Sequence, residues 1–272
     1  MKKRWWGVLL ALAVCVAGLC ITAGATAYDE QHDSSIIRID DYWSDGRPYV
    51  KYVDSFDEAI KWMMKDSTFT LLKDVKLVKQ LKLTQVELYQ GYNFYLDLDG
   101  HTLSGKRDDE PLVLIHPSTN IEIKFWNGTV HNDGAGAAVQ LEDGKITLQN
   151  VDVTGSDVVL KNALFYGSNG NYIPTFIGGG TFTRIRLDDN TTLLPSLILS
   201  KGCYFTDENG QRVDQNKHYD ALENVTAHTC SHKNENGEYT IVPVQGNNYV
   251  CSVCGNECPH EDRDENDICH AC

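Results

Sequence analysis

Three segments of this chain repeat one pattern of apolar residues. Aligned without gaps, they are LDLDGHTLSG (96–105), IKFWNGTVHN (123–132) and ITLQNVDVTG (146–155), at offsets of 27 and 23 residues. Each has alternating apolar positions, then Gly or Asn, then a polar residue and an aliphatic one. Alternation with a period of two indicates a β-strand that buries one face.

The repeat is about two dozen residues long, which is too short to include a crossover helix. It therefore predicts strands that stack coil upon coil, with apolar ladders inside. An antiparallel sandwich is the alternative, but it would not keep one chemistry in each column at a constant offset. The alignment predicts four columns: Leu96/Ile123/Ile146, Leu98/Phe125/Leu148, Gly100/Asn127/Asn150 and Leu103/Val130/Val153.

Two outward columns support this register. It places Asp97 beside Lys124 and Glu122 beside Lys145, so that unlike charges on neighbouring coils lie about 4.8 Å apart. The predicted fold is therefore all-β, a parallel β-helix.

A helix is predicted upstream of the coils, over residues 54–67. Ser55 and Glu58 have the spacing of a capping box, which marks a helix start. Because an open end of stacked strands invites aggregation, we expect this amphipathic helix to cover the first coil. Its apolar residues recur at helical intervals: Phe56, Ile60, Met63 and Met64.

The first residues resemble a secretory signal peptide, with cations in MKKRWW, an apolar stretch, and small residues before Tyr28. An uncleaved membrane anchor is the alternative, since the stretch approaches the roughly 20 residues of a spanning helix. Cleavage before Tyr28 would leave no membrane span, and the protein would be secreted or held at the cell surface.

The chain is strongly acidic. Loss of the signal peptide removes Lys2, Lys3 and Arg4 and changes the formal net charge from −14 to −17. So acidic a protein is not expected to bind nucleic acid, and it should repel polyanionic glycans unless a local cationic groove intervenes.

The segments TFTLLKDVKL (68–77), LDLDGHTLSG and WNGTV (126–130) together resemble right-handed β-helix domains of the pectate-lyase-like superfold. Such domains occur in secreted and cell-surface proteins of Gram-positive bacteria. LPSLILSKGCYFTDENGQRVD (194–214) resembles the coil that closes them. The resemblance covers about residues 50–225. It implies a right-handed parallel β-helix and says little about activity.

In enzymes of this superfold, acidic residues lie together on one outer face. In some of them these residues hold calcium beside an Arg or Lys that acts as the base, and in others two paired carboxylates catalyse hydrolysis. In the predicted register no column stacks carboxylates on adjacent coils, so we predict no catalytic residue. Trp126 points outward, between Asp99 and Gln149. These three residues could bind a sugar, because a Trp ring has an apolar face and a hydrogen-bonding edge. The alternative is that a loop covers Trp126.

The end of the chain contains a second repeat of the form C-x-H … C-x-x-C. Each unit has four ligands in two close pairs, as a structural Cys₃His zinc site requires. Disulfides are the main alternative in an exported chain, but they leave the repeated histidines unexplained. We expect two structural zinc ions, with the ligands Cys230, His232, Cys251 and Cys254 in one site and Cys258, His260, Cys269 and Cys272 in the other.

These features predict four parts: a signal peptide (1–27), a linker (28–48), a capped β-helix (49–225) and two zinc-ribbon-like modules (226–272). The expected function is non-catalytic binding of a glycan or a surface protein outside the cell. A polysaccharide lyase or glycosidase is one alternative, and it should show carboxylates with Lys or Arg in one groove. A binding protein should show an exposed aromatic platform, and a structural spacer should show neither.

Overall fold

The computed structural model describes the side chains and backbone of residues 32–42, 46–63, 67–84, 93–116, 121–142, 145–161, 176–188, 192–200 and 202–230. It also describes the backbone of 27–28, 241–243, 249–251 and 257–258. The elements, in chain order, are β1 (Ala27–Tyr28), β2 (Ile37–Tyr42), β3 (Pro48–Val53), α1 (Phe56–Lys61), β4 (Thr68–Leu71), β5 (Val75–Leu77), β6 (Leu81–Thr84), β7 (Phe94–Asp97), β8 (Thr102–Gly105), β9 (Val113–His116), β10 (Glu122–Asn132), β11 (Val139–Leu141), β12 (Lys145–Leu160), β13 (Phe176–Ile177), β14 (Gly180–Leu187), a 3-10 turn (Pro195–Leu197), β15 (Cys203–Thr206), β16 (Ala221–Thr229), β17 (Ile241–Pro243), β18 (Tyr249–Cys251) and β19 (Glu257–Cys258).

The central strands form a parallel β-solenoid of about three turns, as the repeat predicts. Face A is the stack β4–β7–β10–β12–β13. Face B is β5–β8–β10–β12–β14, and face C is β6–β9–β11–β12–β14. β10 and β12 are long because β10 passes from face A to face B and β12 passes through all three faces. They turn at Asn127 and Asn150, which have φ values of +59° and +54°. Asn tolerates this left-handed conformation better than most residues.

Aromatic rings fill the inside of face A. Phe69, Phe94 and Phe125 are fully buried, and their ring centroids are 4.8 Å and 6.3 Å apart in succession. Phe125 lies between Leu96 and Leu148 on the neighbouring coils. The inward side chains of all three faces form one hydrophobic core.

The predicted register is correct between the second and third repeats. Glu122 pairs with Lys145 and Phe125 with Leu148, and the column Leu103/Val130/Val153 is also confirmed.

On the first repeat the predicted register is wrong by two residues. Lys124 lies opposite Tyr95 rather than Asp97, and Trp126 lies opposite Asp97 rather than Asp99. The reason is a longer turn. Four residues separate Asp97 from Thr102, whereas two separate the aligned positions Trp126 and Thr129. The extra residues form a turn at Asp99 and Gly100, which have φ values of +47° and +80°. Leu98 is buried as predicted, but it is not the partner of Phe125.

The predicted helix is confirmed but shorter. At the start of α1 the Ser55 side chain accepts a hydrogen bond from the Glu58 backbone N–H at 3.2 Å. Phe56 and Ala59 of α1 join the core, and so does Met63, which follows the helix. Met64 lies outside the described residues.

The N-terminal segment predicted as a linker (28–48) contains a strand of the sheet. β2 pairs antiparallel with β4 of the first coil and with β3. Its alternate residues Ile37 and Ile39 are fully buried. The sequence did not predict this strand, because the six residues of β2 contain only two buried apolar side chains. So short a pattern is a weak strand signal when the strand it pairs with is not known.

The C-terminal end of the solenoid also changes direction. β16 runs antiparallel to β14 and to β15, so its backbone covers the last coil. The predicted domain boundary after residue 225 therefore falls inside β16. β17, β18 and β19 form a separate three-stranded antiparallel sheet.

Among the described residues, no helix has the length and apolar character needed to cross a membrane. The predicted signal peptide, apart from Ala27, lies outside the described residues.

Candidate functional site

The outward side of face A carries two of the three predicted ligand-binding residues, Trp126 and Gln149. Outward positions alternate with the buried ones along β7, β10, β12 and β13, which gives two parallel rows across the coils. One row is Asp97, Trp126 and Gln149, and the other is Tyr95, Lys124, Thr147 and Phe176. We call these seven residues the Trp126 surface.

Trp126 is half-buried, and its ring has a cation beside it. The Lys124 Nζ lies 5.2 Å from the ring centroid, within the range of a cation–π interaction. On the next coil the Lys145 Nζ lies 5.8 Å from the Phe176 ring and 2.9 Å from Glu122 Oε1. The surface therefore combines aromatic rings with two lysines, each of which already interacts with a neighbouring ring or carboxylate.

Of the predicted neighbours of Trp126, the structure places Gln149 beside it and Asp99 in the turn. The acidic neighbour is Asp97. Its Oδ1 accepts hydrogen bonds from the Asp99 backbone N–H at 3.0 Å and from Asn127 Nδ2 at 3.3 Å. Asp97 thus stabilises the corner and stands next to Trp126. Sequence reasoning missed Tyr95, although alternation in NFYLD places it on the same side as Asp97.

A second candidate site is a groove of about 550 Å³ on face C, lined by Asp157, Arg184, Arg186, Leu187 and Asp220. We call it the arginine groove. Arg184 and Arg186 occupy successive outward positions of β14, and Asp157 lies opposite Arg184 on β12. Asp220 comes from the segment that leads into β16.

Ion pairs hold the two guanidinium groups in place. Arg186 Nε donates to Asp157 Oδ2 at 2.6 Å, and Arg184 Nη1 lies 3.9 Å from the same oxygen. Arg184 Nε lies 3.4 Å from Glu223 Oε1, close enough for an ion pair but without hydrogen-bond geometry. No column of the sequence alignment pointed to this groove, because its carboxylates come from segments outside the three repeats. The only local signal was the alternation in TRIRL.

A row of charges follows the C-terminal edge of face C. His116 Nδ1 lies 2.9 Å from Glu142 Oε2, and Lys161 Nζ bridges Glu142 and Asp188 at 3.5 and 3.8 Å. Partial burial alone would raise the pKa of Glu142. A hydrogen bond from Gln140 and the charges of Lys161 and His116 outweigh burial and lower that pKa below its usual value.

Of the eight predicted zinc ligands, only Cys230 has a described side chain. It is buried directly after β16, and its backbone N–H donates to Gly202 O at 2.8 Å. Cys251 ends β18, and Cys258 lies opposite Tyr249 in the adjacent strand β19. Within the described ranges, no group of three or more His, Cys, Asp or Glu could hold a metal ion. The other predicted ligands lie outside the described residues: His232, Cys254, His260, Cys269 and Cys272.

Comparison of the chain with family models, with curated proteins and with solved structures finds no match in any of the three.

Proposed function

We propose that this protein binds a glycan outside the cell, without catalysis, through the Trp126 surface. The observation that carries the proposal is a half-buried Trp126 on the outer side of face A, with Lys124 beside its ring. An indole face packs on the C–H groups of a sugar ring.

The neighbours of Trp126 complement such contact. Gln149 and Asp97 flank it in the same row, with an amide and a carboxylate near the ring. Tyr95 and Phe176 add aromatic groups in the other row. A strand framework holds all of them at fixed separations, which lowers the entropy cost of binding. These features favour a binding protein over a structural spacer. They also favour a sugar over a protein as the ligand, because polar and aromatic side chains alternate across the surface.

The test is a glycan-array screen of the full chain, followed by Trp126→Ala. The variant should lose binding while its melting temperature stays within a few degrees of the wild type. Trp62→Ala is the matched control, because Trp62 is also partly exposed and also has a lysine, Lys51, 5.2 Å from its ring centroid. A large loss of stability in Trp126→Ala, or equal loss of binding in both variants, would contradict the proposal.

The arginine groove favours a second candidate function, a polysaccharide lyase or glycosidase. Asp157 and Asp220 converge there with Arg184 and Arg186, the combination expected of an enzyme. A lyase assay that follows absorbance of the unsaturated product, run beside a reducing-end assay, tests this function. Activity that Asp157→Asn abolishes would establish it.

The proposal includes two structural zinc ions in the C-terminal modules, with the two ligand sets stated above. The chemistry of the donors supports it, since paired thiolates and imidazoles suit Zn²⁺. Secretion or cell-surface location and right-handed winding of the coils belong to the same proposal.

A further inference from the structure

We propose that the arginine groove binds an uncharged sugar unit through the hydroxyl groups of that unit. This inference rests on glycan binding by the protein and adds a subsite and the chemical class of its ligand. It concerns a different face from the Trp126 surface.

The groove is a built site on rigid elements. Successive outward positions of β14 present Arg184 and Arg186 on the same side, and the ladder to β12 fixes Asp157 opposite. The 2.6 Å hydrogen bond from Arg186 to Asp157 restricts the guanidinium before any ligand arrives. A volume of about 550 Å³ lies within the range of about 300–1,000 Å³ typical of small-molecule sites.

The charges around the groove select against ions. Two guanidinium groups face the carboxylates of Asp157, Asp220 and the neighbouring Glu223, which gives a formal charge of −1. The whole chain is also acidic, at −14. An oxyanion in the groove would lie among three carboxylates and would meet a repulsive field. A cation would meet the two guanidinium groups. The groove therefore fits a neutral polar ligand.

Unused hydrogen-bonding groups define that ligand further. Apart from its Nε, Arg186 makes no hydrogen bond within the described part of the chain, and its terminal N–H groups remain available. The carboxylate of Asp220 likewise has no hydrogen bond or ion pair there, and it can only accept. A hydroxyl accepts and donates at once. Neighbouring hydroxyls of a sugar can therefore accept from Arg186 and donate to Asp220, while the largely buried Leu187 offers an apolar floor.

The experiment measures binding of short saccharides by titration calorimetry on the full chain. The neutral probes are cellobiose, maltose, lactose and xylobiose, and the charged probe is digalacturonate. We expect at least one neutral disaccharide to bind and digalacturonate to bind more weakly. Asp220→Ala should weaken the neutral disaccharide about tenfold or more, because a hydrogen bond to a charged group is lost. Arg186→Lys, which keeps the charge but loses the planar fork of donors, should also weaken it.

Asp109→Ala is the matched control, since Asp109 is exposed and lies outside the groove. Within the described part of the chain, Asp109 makes no ion pair with a charged side chain. This variant should bind as the wild type does. Asp220 is also exposed, so its variant should retain the melting temperature of the wild type.

The outcomes separate this inference from the proposed function. If Trp126→Ala loses glycan binding while Asp220→Ala and Arg186→Lys bind disaccharides as well as the wild type, the inference is wrong and the proposed function stands. Tighter binding of digalacturonate than of every neutral probe would also overturn the inference. If the wild type binds no saccharide, both fail.

Discussion

Lys145 Nζ lies 2.9 Å from Glu122 Oε1 on the preceding coil, and this ion pair marks the register between β10 and β12. The same register places Phe125 directly inside, against Leu148. In a β-strand a slip of one residue would turn Phe125 to the solvent and separate the two charges. The outer pair and the inner ladder thus depend on each other.

Phe125→Ala should lower the free energy of unfolding by about 3–5 kcal/mol, because it leaves a cavity in a fully buried ladder. Urea denaturation measures the change. Val78→Ala is the control, since Val78 is 90% exposed and should change stability by about 0.5 kcal/mol or less. A loss below about 1 kcal/mol for Phe125→Ala would be incompatible with its place in the core.

Gly128→Ala should destabilise the corner of β10 at Asn127. A methyl group there would meet Leu98 Cβ at 2.5 Å and the His101 carbonyl oxygen at 2.6 Å, so the longer turn of the preceding coil would have to move. We expect a loss of about 1–3 kcal/mol in the free energy of unfolding.

Gly100→Ala separates this effect from backbone strain. Gly100 has a φ of +80° but nothing within 4 Å of an added Cβ, so its cost is that of a left-handed alanine, about 1–2 kcal/mol. If Gly128→Ala were as stable as the wild type, the close packing of the two coils at this corner would be wrong.

Acidification should weaken the charge row at Glu142. Because its pKa in the folded protein is lowered, the unfolded chain takes up a proton first as the pH falls below 4.5. The stability that Glu142 contributes is therefore complete above that pH and is lost as the pH falls through the folded pKa. Glu142→Gln should show a smaller decline in urea midpoint between pH 6 and pH 3 than the wild type.

Gln140→Ala is the matched variant for this row. It keeps the Glu142 carboxylate but removes a 2.8 Å hydrogen bond to it, so its decline should be intermediate. An identical pH dependence in all three proteins would show that Glu142 contributes nothing to acid stability.

The purified protein should carry two zinc ions per chain. Cys258→Ser should lose one and keep the other, and acid should release both, because only thiolates bind the metal. Metal content by mass spectrometry and thiol titration of the denatured, non-reduced chain test this. After signal cleavage, zinc predicts seven titratable thiols. One thiol without bound metal would mean that disulfides hold the tail together.

Much of the solenoid follows from local patterns. Alternation placed Phe125, Val130 and Leu148 inside, and the capping-box spacing placed the start of α1 at Ser55. These features depend on residues a few positions apart, so their physics is visible in the chain itself. The outward direction of Trp126 followed from the same alternation.

The tertiary structure decided which outward residues meet. The turn that follows β7 is two residues longer than the corner of β10, and it brings Asp97, rather than Asp99, beside Trp126. The length of a corner changes the register between neighbouring coils but leaves the alternation within each strand unchanged. The arginine groove joins Asp157, Arg184 and Asp220, which are separated by 27 and 36 positions along the chain. Coil stacking and the antiparallel return of β16 bring them together, and no pattern within a single strand encodes that meeting.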